Sequence, residues 1–319
     1  MEASRRRRAR ARGGPLRGVA LGTGANPDHV VEISREGVVL GTFAVGSDPQ
    51  ALAIDASGNI WVGSQDSSNI TELSPVGSLV GTWAVGDPGD TIGIAIDGTG
   101  NAWAVNFDFP LESTIVELNP GGMTLGHFGV ATTGPWGVAI DSQNNVWISG
   151  QNAYARCGDA MTCESGGAGT SLSKVSSAGD PLGSFTVPAG PTGIAVDSSD
   201  DIWVASTSGS VTKLSNAGVV LVTVKPTGTF APFGVAVDST DRVWVTDEGG
   251  DQLTVLTRDG TVAATYTVPG LAGGMTSTSG VALDRTEPYA WVANYLGKSV
   301  TRFGTGGPVA RCRSGGLCP

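Results

Sequence analysis

The residues of this chain with the most evident chemical potential are aspartates, and six of them recur at one position of a repeated sequence. Each ends a short apolar run of the form [Gly/Ala]-[Ile/Val/Leu]-Ala-[Ile/Val/Leu]-Asp: Asp55, Asp97, Asp141, Asp197, Asp238 and Asp284. Gathered in space, such carboxylates could bind a hard cation or exchange protons. An aspartate that ends a strand before a tight turn usually accepts hydrogen bonds from the turn backbone instead. Because one occurs in every repeat, we predict a structural role.

A tryptophan follows each aspartate by six or seven residues and opens a second apolar run. The tryptophans are Trp61, Trp103, Trp147, Trp203, Trp244 and Trp291, separated by 42, 44, 56, 41 and 47 residues. A period of 40 to 50 residues with several short strands per unit is typical of β-propeller blades. We therefore expect the tryptophans to wedge between neighbouring sheets.

Each repeat is interpreted as four strands separated by Gly-, Asn- and Ser-rich turns, which predicts an all-β propeller of four-stranded blades. The third strand of this pattern occurs seven times, first at residues 30–34. Residues 18–21 resemble an inner strand without its hairpin, and residues 308–312 could form a last outer strand. We predict seven blades, the first incomplete; six blades with strands shared across the closure is the alternative.

Functional residues are expected where the repeats disagree. One variable ring precedes the inner strands and should surround a mouth of the central channel: Gln50, Ile92, Trp136, Thr192, Phe233 and Ser279. A second ring follows the tryptophan strands, with Phe107 and Tyr295 next along. Aromatic and amide groups without an acid–base pair suit binding better than catalysis. The predicted ligand-binding residues are Trp136, Phe233, Gln50, Thr192, Phe107 and Tyr295.

Four residues near the second ring could offer oxygen ligands to Mg²⁺ or Ca²⁺: Asp247, Glu248, Asn106 and Asn294. Adjacent residues of a strand point to opposite faces, so Asp247 and Glu248 cannot both face one ion within a strand. We therefore predict no metal or other cofactor and no catalytic residue. The two histidines are predicted to be structural, His127 on an outer strand and His29 at the start of a third strand.

The four cysteines form two pairs with the same Cys-x5-Cys spacing, Cys157 with Cys163 and Cys312 with Cys318. Four-cysteine zinc sites use shorter spacings, so we predict two local disulfides. Disulfides persist in oxidising compartments, which favours a secreted or periplasmic protein, although no signal peptide is evident in the sequence.

Charge divides the chain into a basic start and an acidic body. Seven of the 19 basic residues lie in residues 1–17, which are predicted to be a disordered Arg-rich tail. The remainder holds 12 basic and 28 acidic residues and no basic patch, which argues against nucleic-acid binding. No segment is long and apolar enough to span a membrane. We predict a single, monomeric propeller domain over residues 18–312, with a loop insertion at 150–170 and a tail at 313–319.

The repeat Pro-x-Gly-[Ile/Val]-Ala-[Ile/Val]-Asp…Trp-[Val/Ile/Ala], followed by a strand such as residues 211–215, resembles the NHL-repeat propellers. It is especially similar to the virginiamycin B lyase-like branch over residues 26–304. The resemblance implies seven blades and an elimination reaction that uses Mg²⁺, two histidines and a glutamate over the channel. This chain departs from that pattern, because its second strands read Trp-Val-Gly or Trp-Val-Ala and only residues 244–248 approach the family's Trp-Phe-Thr-Glu.

Two functions follow as expectations. The first is an exported, non-catalytic propeller that binds a protein, peptide or glycan through the channel mouth. The alternative is a Mg²⁺-dependent lyase or lactone hydrolase with a degenerate site. The fold alone does not separate them, since propellers host both.

Overall fold

The protein is all β over the residues that the structure describes. The computed structural model describes residues 19–20, 28–34, 38–86, 90–107, 114–132, 134–151, 169–226, 231–248, 252–267, 278–283, 290–294, 299–304 and 307–313. These residues form 27 strands and no helix. Among them, no helix could cross a membrane. The predicted tail at 1–17 lies outside these ranges, as does the predicted tail at 313–319 apart from Arg313, which ends the last strand.

Six four-stranded antiparallel sheets follow one another along the chain. The inner strands are β4 (Pro49–Ile54), β8 (Asp90–Ile96), β12 (Pro135–Ile140), β16 (Pro191–Val196), β20 (Pro232–Val237) and β24 (Thr278–Leu283). The second strands, which carry the tryptophans, are β5 (Ile60–Ser64), β9 (Ala102–Phe107), β13 (Val146–Gly150), β17 (Ile202–Ser206), β21 (Val243–Asp247) and β25 (Ala290–Asn294).

Two further strands complete each of these sheets on the outside. The third strands are β6 (Asn69–Leu73), β10 (Thr114–Leu118), β14 (Ser171–Val175), β18 (Ser210–Leu214), β22 (Gln252–Leu256) and β26 (Ser299–Gly304). The outer strands are β7 (Leu79–Ala84), β11 (Thr124–Gly129), β15 (Pro181–Thr186), β19 (Val220–Val224), β23 (Val262–Thr267) and β27 (Gly307–Arg313). The prediction of four-stranded blades is confirmed, and β27 is the last outer strand that the sequence indicated.

Blade one has three strands, β1 (Val19–Ala20), β2 (His29–Ile33) and β3 (Val39–Ala44). The interpretation of residues 18–21 as an inner strand is wrong, because β1 pairs directly with the third-strand equivalent β2. Ala20 faces Val30 as Gly63 faces Ile70 in blade two, so β1 occupies the position of a second strand. In the part of the chain that the structure describes, blade one therefore has no inner strand.

The hydrophobic core is divided among the interfaces between consecutive blades. Trp61, for example, packs on Ala104 and Val116 of the next blade, and the equivalent Trp203 packs on Val243 and Val245. The indoles of the complete repeats are almost fully buried, with Trp203 at 0% exposure. The prediction that the tryptophans are wedges between sheets is confirmed.

Polar side chains in the turns after the inner strands also join neighbouring blades. Asn144, Asp200 and Asp241 lie at φ values of 61°, 63° and 60°, in the left-handed region that Asn and Asp tolerate. From there, Asn144 Oδ1 accepts a hydrogen bond from the Gly98 N–H of the preceding blade (2.8 Å). Asp241 likewise accepts from the Ser198 N–H (3.0 Å) and hydroxyl (2.6 Å). We call these contacts the turn seam.

Candidate functional site

The two variable rings lie at the same end of the propeller. The start of each inner strand pairs with the end of the second strand, as Pro135 does with Gly150 and Pro232 with Asp247. The residues that follow each inner-strand start therefore share one end of the channel with the residues that end the second strands. We call this end the mouth.

A cavity of about 570 Å³ runs down the axis from the mouth. All six inner strands contribute to its wall, largely through the repeated Gly-[Ile/Val] pairs such as Gly193 and Ile194. Trp136 and Phe233 are half-buried at its rim, with ring centroids 5.8 Å apart and planes at 82°. Such an edge-to-face pair is a favourable aromatic geometry. The mouth therefore has a mixed lining, more apolar than polar, with two aromatic rings that meet nearly at right angles.

The repeated glycines allow the inner strands to come close around the axis. A Cβ at Gly137 would lie 2.5 Å from the carbonyl oxygen of Thr192, and one at Gly193 would lie 2.5 Å from that of Phe233. A side chain there would push the neighbouring inner strand away, which explains why glycine recurs at this position.

The channel wall is different beside blade one. Trp291, Ala293 and Val300, from the second and third strands of blade seven, line the cavity together with β24. A Cβ at Gly280 would meet no described atom within 4 Å. Among the described residues, no inner strand of blade one covers this part of the wall.

The structure brings three of the six predicted ligand-binding residues to the cavity: Trp136, Phe233 and the exposed Gln50. Thr192 is fully buried, and its hydroxyl donates to the Phe233 carbonyl (2.8 Å), so it joins two blades. The backbone of Phe107 ends β9 at the mouth, but its side chain lies outside the description, as does all of Tyr295.

Two of the candidate oxygen ligands are already engaged with loop backbone. Asp247 is fully buried and Oδ1 accepts from the Ala231 N–H (2.7 Å). Asn106 donates to the Val85 carbonyl (2.8 Å) and accepts from the Thr91 hydroxyl (3.2 Å). These side chains fix the loops that enter the inner strands.

The other two candidates differ. Glu248 lines the cavity, a position for which the sequence offered only a metal-ligand interpretation. The side chain of Asn294 lies outside the description. No group of three or more His, Cys, Asp or Glu that could hold a metal ion occurs among the described residues. The described candidates therefore do not assemble a Mg²⁺ or Ca²⁺ site, and the absence of a metal stays a prediction.

The repeated aspartates lie at the opposite end and do the structural work predicted for them. Asp97 Oδ1 accepts from the backbone N–H groups of Thr99 (2.8 Å) and Asn101 (3.0 Å). Its other oxygen accepts from Trp103 Nε1 (3.0 Å), a bond that the sequence analysis did not foresee. The same Asp–Trp bond recurs in the other described copies, at 3.3, 3.2, 3.1 and 3.0 Å. The signal in the sequence that could have indicated this bond is the constant spacing of six residues between the aspartate and the tryptophan.

Hydrogen bonds have a larger effect than burial on the pKa of these aspartates. Burial alone would raise the pKa of Asp141, but bonds from Asn216, Asn145 and Trp147 outweigh it and lower the pKa to about 2. Burial is similarly outweighed at Asp238, where bonds from Trp244 and the Thr240 turn lower the pKa to about 2. These carboxylates are ionised at neutral pH and are held as hydrogen-bond acceptors.

The residue opposite the tryptophan on the third strand is charged in five of the six complete blades, and the sign of the charge varies; opposite Trp244 it is the uncharged Val255. In blade five Lys213 Nζ lies 2.9 Å from Asp197 Oδ2 and 5.3 Å from the Trp203 ring centroid. In blade two the equivalent residue is Glu72, 1% exposed, which accepts from Asn59 Nδ2 (3.0 Å). Burial raises the pKa of Glu72, and the nearby charge of Asp55 adds to the rise. Blade two therefore holds two carboxylates, the buried Glu72 and the half-buried Asp55, where blade five holds an ion pair.

The histidines lie away from the cavity. His127 is exposed on β11, and His29 begins β2, so neither lines the described cavity. Cys157, Cys163 and Cys318 lie outside the described residues. Cys312 is in β27, whose side chains are not described, so the disulfides stay a prediction.

These features define a β-propeller with six complete blades and, among the described residues, a seventh of three strands, whose channel mouth carries two aromatic side chains. The fold is that of virginiamycin B lyase. A catalytically inactive variant of that enzyme from Staphylococcus aureus, solved with quinupristin, superposes with a TM-score of 0.69 at 17% identity, covering 85% of this chain and 86% of the lyase.

Other solved structures superpose equally well. Kuenenia stuttgartiensis hydrazine synthase gives a TM-score of 0.71 at 16% identity, over 92% of this chain and 96% of the other. A functionally unknown protein from Desulfotomaculum acetoxidans gives 0.71 at 14% identity, over 91% and 93%. No protein-family model and no curated protein sequence matches the chain. At these identities the likeness establishes the fold.

Proposed function

We propose that this chain is a non-catalytic β-propeller that binds a protein segment, peptide or glycan in the mouth of its channel. The observation that supports this most is the pair Trp136 and Phe233, half-buried at the rim of a cavity of about 570 Å³. Rigid aromatic rings in a concave site contribute apolar contact at low entropic cost. Among the described lining residues the single titratable side chain is Glu248, so they provide no acid–base pair.

The test is a binding screen on peptide and glycan arrays, followed by titration of each hit. The double variant Trp136→Ala with Phe233→Ala should abolish binding, whereas Leu79→Ala, a 65%-exposed residue of outer strand β7, should not. Trp136→Phe keeps a ring at the rim and should retain most of the affinity. If the double variant binds as tightly as the parent, the mouth is not the site.

The same proposal places the protein in the periplasm or outside the cell as a monomer. Its support is the pair of Cys-x5-Cys segments, which suit local disulfides. Non-reducing peptide mapping should find Cys157 bonded to Cys163 and Cys312 to Cys318. Free thiols, or zinc bound to them, would remove the argument for export.

A lyase is the second candidate, favoured by the superposition on virginiamycin B lyase. Incubation with quinupristin and Mg²⁺ tests it directly, with ring opening followed by mass spectrometry. Neither histidine is among the described residues that line the cavity, so we expect no turnover. Ring opening by the parent, abolished by Glu248→Gln, would replace the binding proposal with the enzymatic one.

A further inference from the structure

Three fully buried hydroxyl groups contact the backbone next to the two aromatic residues of the mouth. They belong to Ser149, Thr192 and Thr246. Ser149 and Thr246 occupy one repeat position, two residues after the tryptophan of the second strand. At this position the other four complete blades have no hydroxyl: Gly63, Val105, Ala205 and Ala293. A hydroxyl therefore occurs here only in the two blades whose inner strands carry Trp136 and Phe233.

The peptide group that follows each aromatic residue is held by one of these hydroxyls. The N–H of Gly137, which follows Trp136, donates to Ser149 Oγ (2.9 Å). The N–H of Gly234, the equivalent glycine, donates to Thr246 Oγ1 (2.8 Å). In both inner strands the pairing register shifts at this point, which interrupts the ladder of backbone hydrogen bonds. The hydroxyls therefore hold the strands where the ladder does not.

Thr192 connects the two aromatic residues, because it lies in the blade between them. Its hydroxyl donates to the Phe233 carbonyl (2.8 Å), and its own carbonyl accepts from the Ser149 hydroxyl (2.5 Å). The peptide group after Phe233 is thereby bonded at both its carbonyl and its N–H. The rings of Trp136 and Phe233 meet across this blade, with centroids 5.8 Å apart.

We infer that Ser149, Thr192 and Thr246 are positioning residues, which hold the Trp136 and Phe233 rings in the arrangement that a ligand meets. This inference rests on the proposed binding function and adds the groups that preorganise its site. A peptide group bonded at both ends fixes the direction in which its side chain leaves the backbone. Rings that are already fixed lose little entropy when a ligand binds, so the hydroxyls contribute affinity without touching the ligand.

Fluorine NMR on the full chain, labelled with 5-fluorotryptophan, reports on the ring pair directly. Trp136→Phe identifies the Trp136 resonance, and Phe233→Leu gives the position of that resonance without the neighbouring phenyl ring. Thr192→Val and Thr246→Val keep the side-chain volume but remove the hydroxyl, which leaves a buried backbone group without its partner. Both variants should move the Trp136 resonance toward its position in Phe233→Leu. If one valine variant does not fold, the other and Ser149→Ala provide the same test.

Two kinds of control separate the hydroxyl from general packing. Thr192→Ser and Thr246→Ser keep a hydroxyl and should leave the Trp136 resonance at its position in the parent. Thr212→Val removes an equally buried hydroxyl from the blade of Thr192, but one that bonds Thr223 of the outer strand, and should also leave the resonance in place. An unchanged resonance in the folded valine variants at 192 and 246 would overturn the inference. An equal shift in Thr212→Val would do the same, because the effect would then be a loosening of the whole blade.

The fluorine measurement needs no ligand, so its failure is distinguishable from failure of the proposed function. For the peptide or glycan that binds best in the array screen, Thr192→Val should lower the affinity about tenfold, because the rings must then be ordered on binding. An unchanged affinity in that variant would also overturn the inference. Undiminished binding by the Trp136→Ala, Phe233→Ala variant would overturn the proposed function, wherever the resonance lies.

Discussion

Gly193 and Gly280 occupy the same position of the repeat, yet the same substitution should have opposite effects at the two sites. In Gly193→Ala the new Cβ would lie 2.5 Å from the Phe233 carbonyl oxygen and 2.7 Å from the Val235 nitrogen. Both are main-chain atoms of the adjacent inner strand, so no side chain can rotate away. Relief requires β16 and β20 to separate by about 1 Å, which close-packed interiors resist.

The cost follows from what that separation disturbs. Overpacking a core by one methyl group typically costs about 1–3 kcal/mol. We expect the upper part of this range because the Trp203 cluster lies behind the same two strands. In Gly280→Ala the methyl group meets no described atom within 4 Å. That variant should be neutral or stabilised by up to about 1 kcal/mol, since alanine restricts the unfolded chain.

Urea unfolding followed by tryptophan fluorescence measures both variants against the parent. A clear fall of the midpoint for Gly193→Ala, with an unchanged or higher midpoint for Gly280→Ala, supports the gap beside blade one. Equal destabilisation of the two variants would refute the reasoning, because it would mean that an inner strand packs on Gly280 as β20 packs on Gly193.

Three further predictions concern the blade interiors. Trp203→Ala should cost about 3–5 kcal/mol in urea unfolding, as large-to-small core changes do, whereas Trp136→Ala, at the half-buried rim, should change the midpoint little. Glu72→Gln should raise stability at pH 7, because the raised pKa of Glu72 favours folding only at pH values where this carboxyl is protonated; a variant no more stable than the parent at pH 7 would contradict this. Asp141 and Asp238, with pKa values lowered to about 2, should stabilise the fold above pH 4 and lose that contribution as pH falls toward 2. An Asp238→Asn variant should therefore show a shallower acid-induced loss of stability, and an unchanged acid profile would argue against the turn bonds.

The sequence predicted the structure best where the residues that stabilise a blade recur in every repeat. The alternation of apolar runs and turns predicted four-stranded blades, and the recurrence of Asp55 and Trp61 predicted a cap and a wedge. The bond that joins cap to wedge was missed, because spacing along a chain does not show which side-chain atoms meet. Because both faces of a second strand are buried, its residues are apolar throughout, and the sequence pattern does not show which face the tryptophan occupies.

The candidate site was predicted less completely, and Thr192 shows why. It occupies the same repeat position as Trp136 and Phe233, so alignment placed all three at the mouth. A hydroxyl on a short side chain can reach the neighbouring carbonyl between blades, whereas an indole or phenyl ring is too large for that space and stays at the rim. The predicted position at the mouth was right for all three residues, and the size of each side chain determined whether it points between the blades or stays at the rim.

Blade one could not be predicted from residues 18–21 alone. Val19 and Ala20 suit an inner or a second strand equally well, since both are short and apolar. Pairing decided the matter, because the register of β1 on β2 matches that of second strands elsewhere.

The turn seam has a consequence for the order in which the protein can be assembled. Asp241 accepts a hydrogen bond from Ser198, and Asn144 accepts one from Gly98. Both turns are therefore held by a residue of the next blade along the chain. A blade emerging from the ribosome can close its own strands at once, but its turn is tied down only after the following repeat has been synthesised and folded. Folding should therefore advance toward the C-terminus with a lag of one blade.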